Sequence, residues 1–340
     1  MSARNAEIDE RLPWSVRLFA SAPVPPVVCS LLFCAAIFLA YHVYCWLTNM
    51  AWDERLAEFQ LLQVAMIAFT PAATVYALRG AERDLADLAP VLTPQADGAE
   101  AGIRSVFRVG RAALAIAGAA GFAISIGFVM SPGSWVGGRP ALDHPVFVWA
   151  ALRSVAMGWL IARTVVIELA VAVGFAKLGR HGVAVDWLDQ RPLAPFARKG
   201  LRSVLLLLLF SFLFSLFLLE PWGKTVAIPM LVFFPVVCVA ALLLPVSGVH
   251  QQLAEAKRAE LARVDAALRA EAEANLKPGA APATGARLSN LVAWRGLVQA
   301  ASTWPFDVGV WLRFAVYVSL GLGSWLGGAL VERLIGAALD

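Results

Sequence analysis

Apolar residues run through this chain in blocks that are too long and too continuous for the one-sided stripe of a soluble helix. Seven blocks stand out, at 27–47, 59–78, 112–138, 145–176, 203–219, 225–249 and 314–331. A bilayer hydrocarbon core of about 30 Å takes about 20 apolar residues of helix to cross. The pattern therefore predicts seven transmembrane helices. The blocks at 59–78, 112–138 and 225–249 hold no Asp, Glu, Lys or Arg. The shorter ones at 203–219 and 314–331 end at Arg202, Glu220, Arg313 and Glu332, whose long side chains reach headgroup level. The first block exceeds the roughly 7–15 residues of a signal h-region, and no small-x-small cleavage site follows it. It reads as a retained helix.

Between the sixth and seventh blocks the pattern changes. Pro229, Pro235 and Pro245 mark a kinked sixth helix that must pack on protein. From Gly248 to Leu276 the sequence is rich in Ala, Glu and Arg, with Leu253, Leu261, Val264 and Leu268 as a thin helical stripe. That stretch predicts a helix about 43 Å long. The run KPGAAPATGA at 277–286 reads as a linker, and a second amphipathic helix is expected over 288–300. Thr303, Pro305 and Asp307 predict a fresh helix start before the last block. The expected organisation is a cytoplasmic segment at 1–26 and six helices with short loops at 27–249. A cytoplasmic helical region at 250–303 and the last span with the C-terminus at 304–340 complete it.

Composition supports the membrane reading. The chain is 60% hydrophobic and 15% charged, against about 45–50% and about 25% in soluble domains. The formal net charge of +4 does not point to a nucleic-acid partner, because its placement has another explanation. Lys and Arg crowd the N-terminal tail and the loops after the second, fourth and sixth blocks. The intervening loops and the C-terminal tail hold only Arg55, Arg139, Lys224 and Arg333. Basic loops stay in the cytoplasm, so the N-terminus is expected inside and the C-terminus outside. Trp46, Trp52, Trp135, Trp149 and Trp222 then fall at the outer boundary and Trp304 and Trp311 at the inner one. The fold class expected is all-α, a polytopic bundle of seven spans with long cytoplasmic helices in the cell (inner) membrane.

The phrases LPVSGVHQQLAEAKRAEL (244–261) and WPFDVGVWLRFAVYVSLGLGSWLGGALVERL (304–334) resemble those of uncharacterised prokaryotic polytopic membrane proteins. The resemblance covers about the last third and implies no activity. In topology alone the layout also resembles insect chemoreceptor-type ligand-gated channels. That likeness implies seven spans, an inside N-terminus, long cytoplasmic helices and a pore-lining last span.

Candidate functional residues are few. Arg153 lies deep in the fourth block, where a charge costs roughly 2.5–3.5 kcal/mol. It fits an anion or substrate contact, and it fits a structural arginine bonded to a neighbouring helix. Arg163 and Glu168 in the same block do not share a helix face well and are expected to pair with other helices, forming an intramembrane charge network. Gly321, Gly323, Ser324, Gly327 and Gly328 make the last span a small-residue helix, suited to tight packing or to lining a pore. Glu332 would sit at the mouth of such a pore, where a ring of carboxylates attracts cations.

No enzyme signature appears. No block holds an aspartate at depth, Ser324 lacks a GxSG context, and there is no HExxH, Walker A or dinucleotide loop. The four cysteines have no CxxC spacing and suit packing. No metal and no cofactor is expected. The function expected is an oligomeric ion channel or pore lined by the last helix. The alternatives are a secondary transporter of a small anionic solute, and a non-conducting scaffold or sensor. The partners expected are the lipid bilayer, further copies of the chain, and a cytoplasmic protein.

Overall fold

The computed structural model describes residues 13–49, 54–92, 106–107, 109–130, 145–215, 224–275, 284–321 and 323. Among these the chain is all-helical. The helices are α1 (Trp14–Ser21), α2 (Pro26–Leu47), α3 (Glu54–Leu88), α4 (Arg111–Val129), α5 (Pro145–His181), α6 (Ala194–Ser215), α7 (Lys224–Leu243), α8 (Ser247–Asn275), α9 (Thr284–Ala300) and α10 (Val308–Gly321). An isolated bridge joins Leu92 to Val183.

Among the described residues, three helical stretches are long and apolar enough to cross a membrane: Pro26–Leu47, Leu61–Val91 and Phe147–His181. A fourth is added if Val232–Leu243 and Ser247–Glu273, bent by 55° at the break, count as one span. The expected blocks at 112–138, 203–219 and 314–331 are described only in part, because 131–138, 216–219 and 324–331 lie outside the described residues.

α3 is the axis of the bundle. Two-thirds (67%) of its apolar window is buried, against 6% for α2. α2, α5 and α6 surround it, and α1 lies across it with Ser15, Val16 and Phe19 buried. α3 and α5 run parallel at a constant offset: Gln63 bonds Arg153 and Thr74 bonds Thr164, each pair 90 positions apart. The Leu92–Val183 bridge keeps that offset to within one. Neighbouring helices run against them. In α4 and α5, Gly118 faces Trp159 while Ser125 faces Gly158. A Cβ on Gly121 would lie 2.2 Å from the Gly158 carbonyl oxygen, so only glycine permits that crossing. In α5 and α6, Glu168 meets Lys199 and Ser203 while Phe175 meets Phe196. Gly200 of α6 lies against Leu242 of α7. α10 returns along α7, with Phe306 packed beside Leu242 and Gly321 against Phe234.

The C-terminal ends of α3 and α5 extend into a second packing centre with α8. Leu85, Leu88, Phe175, Leu178, Val183, Phe196, Val249 and Leu253 share one core. α9 folds back on α8 through the Arg295–Asp265 and Arg287–Glu271 ion pairs and a Trp294 Nε1–Glu260 hydrogen bond.

Several boundaries differ from the sequence expectation. The segment before the first block contains α1, which is held by apolar contacts with α3. α6 begins at Ala194, well ahead of its apolar block, because Phe196, Ala197 and Leu201 are buried. α9 begins at Thr284, inside the expected linker. α10 begins at Val308, and its cap is Asp307, whose Oδ1 accepts from Val310 N at 2.7 Å, rather than Thr303.

Candidate functional site

Two cavities flank the α3–α5 pair on opposite faces of α5. The first, about 320 Å³, is bounded by α1, α2, α3 and α5 and lined by Trp14, Phe19, Phe33, Pro71, Trp149, Trp159 and Arg153 among others. The second, about 270 Å³, lies between α3, α5, α6 and α7. Its walls include Phe69, Ile161, Leu206, Phe210 and Val237, with polar side chains from Thr70, Thr74, Thr164, Glu168 and Ser203.

Polar groups recur along the seam between these helices. Arg153 is buried, and its Nε donates to Gln63 Oε1. About three turns on, Thr74 Oγ1 and Thr164 Oγ1 are 3.0 Å apart. Further along, Lys199 Nζ donates to Glu168 Oε2 at 2.6 Å and to Ser203 Oγ at 3.0 Å. Ser203 Oγ donates in turn to Glu168 Oε2 at 3.2 Å. At the end of α3, Asp84 accepts from Arg202 at 2.8 Å and from Arg198 at 3.1 Å, and Arg198 also reaches Asp87. From Gln63 to Asp84 the seam spans about 32 Å of helix, close to the thickness of a hydrocarbon core.

Lys199 is the most deeply placed charge of this seam, with 0% side-chain exposure. A buried ammonium costs several kcal/mol unless it is paired and its protons are bonded. Glu168 and Ser203, one turn along α6, meet that need. Glu168 Oε1 is buried without a hydrogen-bond partner among the described residues.

The residues singled out from sequence are dispersed. Arg153 lines the first cavity and Glu168 the second. Arg163 stacks over Trp159, 4.3 Å from the ring centroid, and its Nε has no hydrogen-bond partner among the described residues. Gly321 is buried against Phe234 and Leu208, and a Cβ on Gly323 would meet nothing within 4 Å. Ser324, Gly327, Gly328 and Glu332 lie outside the described residues. Sequence reasoning missed Lys199, Gln63 and Asp84. Lys199 stands between Arg198 and Arg202 and read as loop charge. Its signal was helical: Phe196, Lys199 and Ser203 fall on one face of a helix that starts before the apolar block. Among the described residues, no group of three or more His, Cys, Asp and Glu side chains could hold a metal ion.

No family model, no curated protein and no solved structure matches this chain.

Proposed function

We propose that the protein is a multi-pass transporter of the cell (inner) membrane, with its solute path along the polar seam between α3, α5 and α6. Seven spans are proposed, with the N-terminus inside and the C-terminus outside. The alternating directions of α2 to α7 and α10 support that count, and the basic-loop pattern supports the orientation.

One observation carries the transport reading. An ion pair, Lys199 with Glu168, is held inside the bundle beside a cavity. Ionisable groups at such depth are costly, and they commonly serve substrate or ion pathways. The side chains of one protomer line this cavity, which favours a path within each copy over one along an oligomer axis. A second reading keeps the last helix as the pore of a homo-oligomer, and the open surroundings of Gly323 favour it.

Purified protein in proteoliposomes separates the two. A transporter gives small, saturable currents on solute addition, lost in Lys199→Met and Glu168→Gln. A pore gives stepwise single-channel currents indifferent to both changes. Silence with cationic, anionic and neutral solutes alike defeats both and leaves the scaffold reading.

A further inference from the structure

The second cavity has an unusual hydrogen-bond balance. Among the described residues, five polar side chains line it: Thr70, Thr74, Thr164, Glu168 and Ser203. Each hydroxyl has one proton to give. Thr70 gives its proton to the Met66 carbonyl at 2.7 Å, and Thr74 gives its own to the Thr70 carbonyl at 2.9 Å. The 3.0 Å contact between Thr74 and Thr164 must then use the Thr164 proton. Ser203 gives its proton to Glu168 Oε2. Every hydroxyl proton is thus committed within the protein. Lone pairs remain, together with the buried, unpartnered Glu168 Oε1. Among the described residues, no Lys or Arg lines this cavity; Lys199 stands behind Glu168 and Ser203.

An anion would find no side-chain donor there. A hydrocarbon would leave Glu168 Oε1 without a partner. An alkali ion would satisfy oxygens and leave the apolar bulk empty. A protonated amine on a compact apolar body satisfies both parts. Its N–H groups can donate to Glu168 Oε1 and neighbouring hydroxyl oxygens, and its body can fill the space between Ile161, Leu206 and Val237. Phe69 and Phe210 add aromatic walls. A dry apolar cavity of about 150 Å³ holds benzene, so about 270 Å³ suits an aryl-alkyl or branched aliphatic amine.

We propose that the second cavity binds a small organic ammonium ion, held by charge-assisted hydrogen bonds to Glu168 and by its apolar walls. The inference rests on the transport reading only in calling this ion the solute. The binding itself stands apart.

The test is binding to the detergent-purified full chain, by calorimetry and thermal shift, with three probes of similar shape: 2-phenylethylammonium, 2-phenylethanol and 3-phenylpropanoate. The ammonium is expected to bind and raise the melting temperature with concentration. The alcohol should bind at least tenfold more weakly, and the carboxylate should give no heat. Glu168→Gln should weaken ammonium binding at least tenfold. Ala73→Leu, which fills the cavity and leaves the carboxylate, should abolish binding while the chain still melts cooperatively. Equal binding of the carboxylate, unchanged ammonium affinity in Glu168→Gln, or an equal shift from sodium chloride alone overturns the proposal. Ammonium binding without flux in proteoliposomes defeats the transport reading and leaves the site. Flux of another solute class with no ammonium binding does the reverse.

Discussion

Thr74 and Thr164 face each other across the seam of two parallel helices, their hydroxyl oxygens 3.0 Å apart. The Gln63–Arg153 pair repeats the same sequence separation nearer the start of both helices. The two contacts differ in what they protect. Interhelical hydrogen bonds between neutral groups average about 0.6 kcal/mol in membranes, so Thr164→Val should lower stability by roughly that amount. Gln63→Leu removes a neutral acceptor from a buried guanidinium, and a hydrogen bond to a charged group contributes about 1.5–3 kcal/mol. Denaturant unfolding in mixed micelles should rank the two variants in that order.

Lys199→Met keeps the length of the side chain and removes its charge. The Glu168 carboxylate then loses its cation, and a loss of about 3–5 kcal/mol is expected. Adding Glu168→Gln to the same chain removes the stranded charge. The double variant should therefore unfold later than Lys199→Met alone, by a double-mutant cycle on thermal melts. Additive losses would mean that the pair is not coupled.

Two glycines on the paired helices α8 and α9 should respond with opposite signs. A Cβ at Gly248 would stand 1.7 Å from the Ala176 carbonyl oxygen, where α8 crosses α5. Gly248→Ala must push α8 off α5, so earlier melting and faster proteolysis of α8 are expected. A Cβ at Gly296 meets nothing within 4 Å. Gly296→Ala gains helix propensity of about 1 kcal/mol in an exposed helix, and should slow proteolysis of α9.

The joint before the last helix rests on His250. Its ring stacks on Trp304 with centroids 3.9 Å apart, and its Nδ1 lies 2.9 Å from the Thr303 carbonyl oxygen. A carbonyl only accepts, so Nδ1 carries a proton. His250→Phe keeps the stack and loses the hydrogen bond, at about 1 kcal/mol. His250→Ala loses both and should open residues 301–307 to protease more than His250→Phe does. Equal cleavage of the two would assign the anchoring to the hydrogen bond alone.

The helical class, the long helix after Pro245 and the turn back into a second amphipathic helix were legible because each has its own periodicity. Leu253 and Val264 of that thin stripe are buried. The kink was legible because proline removes a donor. The seam was not. Gln63 and Thr74 are unremarkable in an apolar run, and only the offset between two parallel helices brings them to Arg153 and Thr164. Lys199 was hidden by its neighbours: three basic residues near a span boundary carry the orientation signal, and nothing local says that one of them turns inward. Glu168 was visible as a costly charge, but its partner depends on α6 beginning about two and a half turns of helix before its apolar block.

Orientation is the expectation with the widest consequence, because it decides from which side a solute enters. Three proposed spans separate position 135 from position 289, so the two must lie on opposite sides. The four native cysteines, at 29, 34, 45 and 238, are first replaced by alanine. Single cysteines are then placed at Trp135 or at Ser289, which is exposed on α9. A membrane-impermeant maleimide added to intact cells should label position 135, and position 289 only after permeabilisation. The reverse pattern would invert the protein, against the basic loops that flank the second, fourth and sixth spans. Labelling of both from outside would mean an even number of crossings between them. In that case α5 to α7 could not all keep the roles given by their alternating directions, and the path proposed along α3, α5 and α6 would no longer join the two sides.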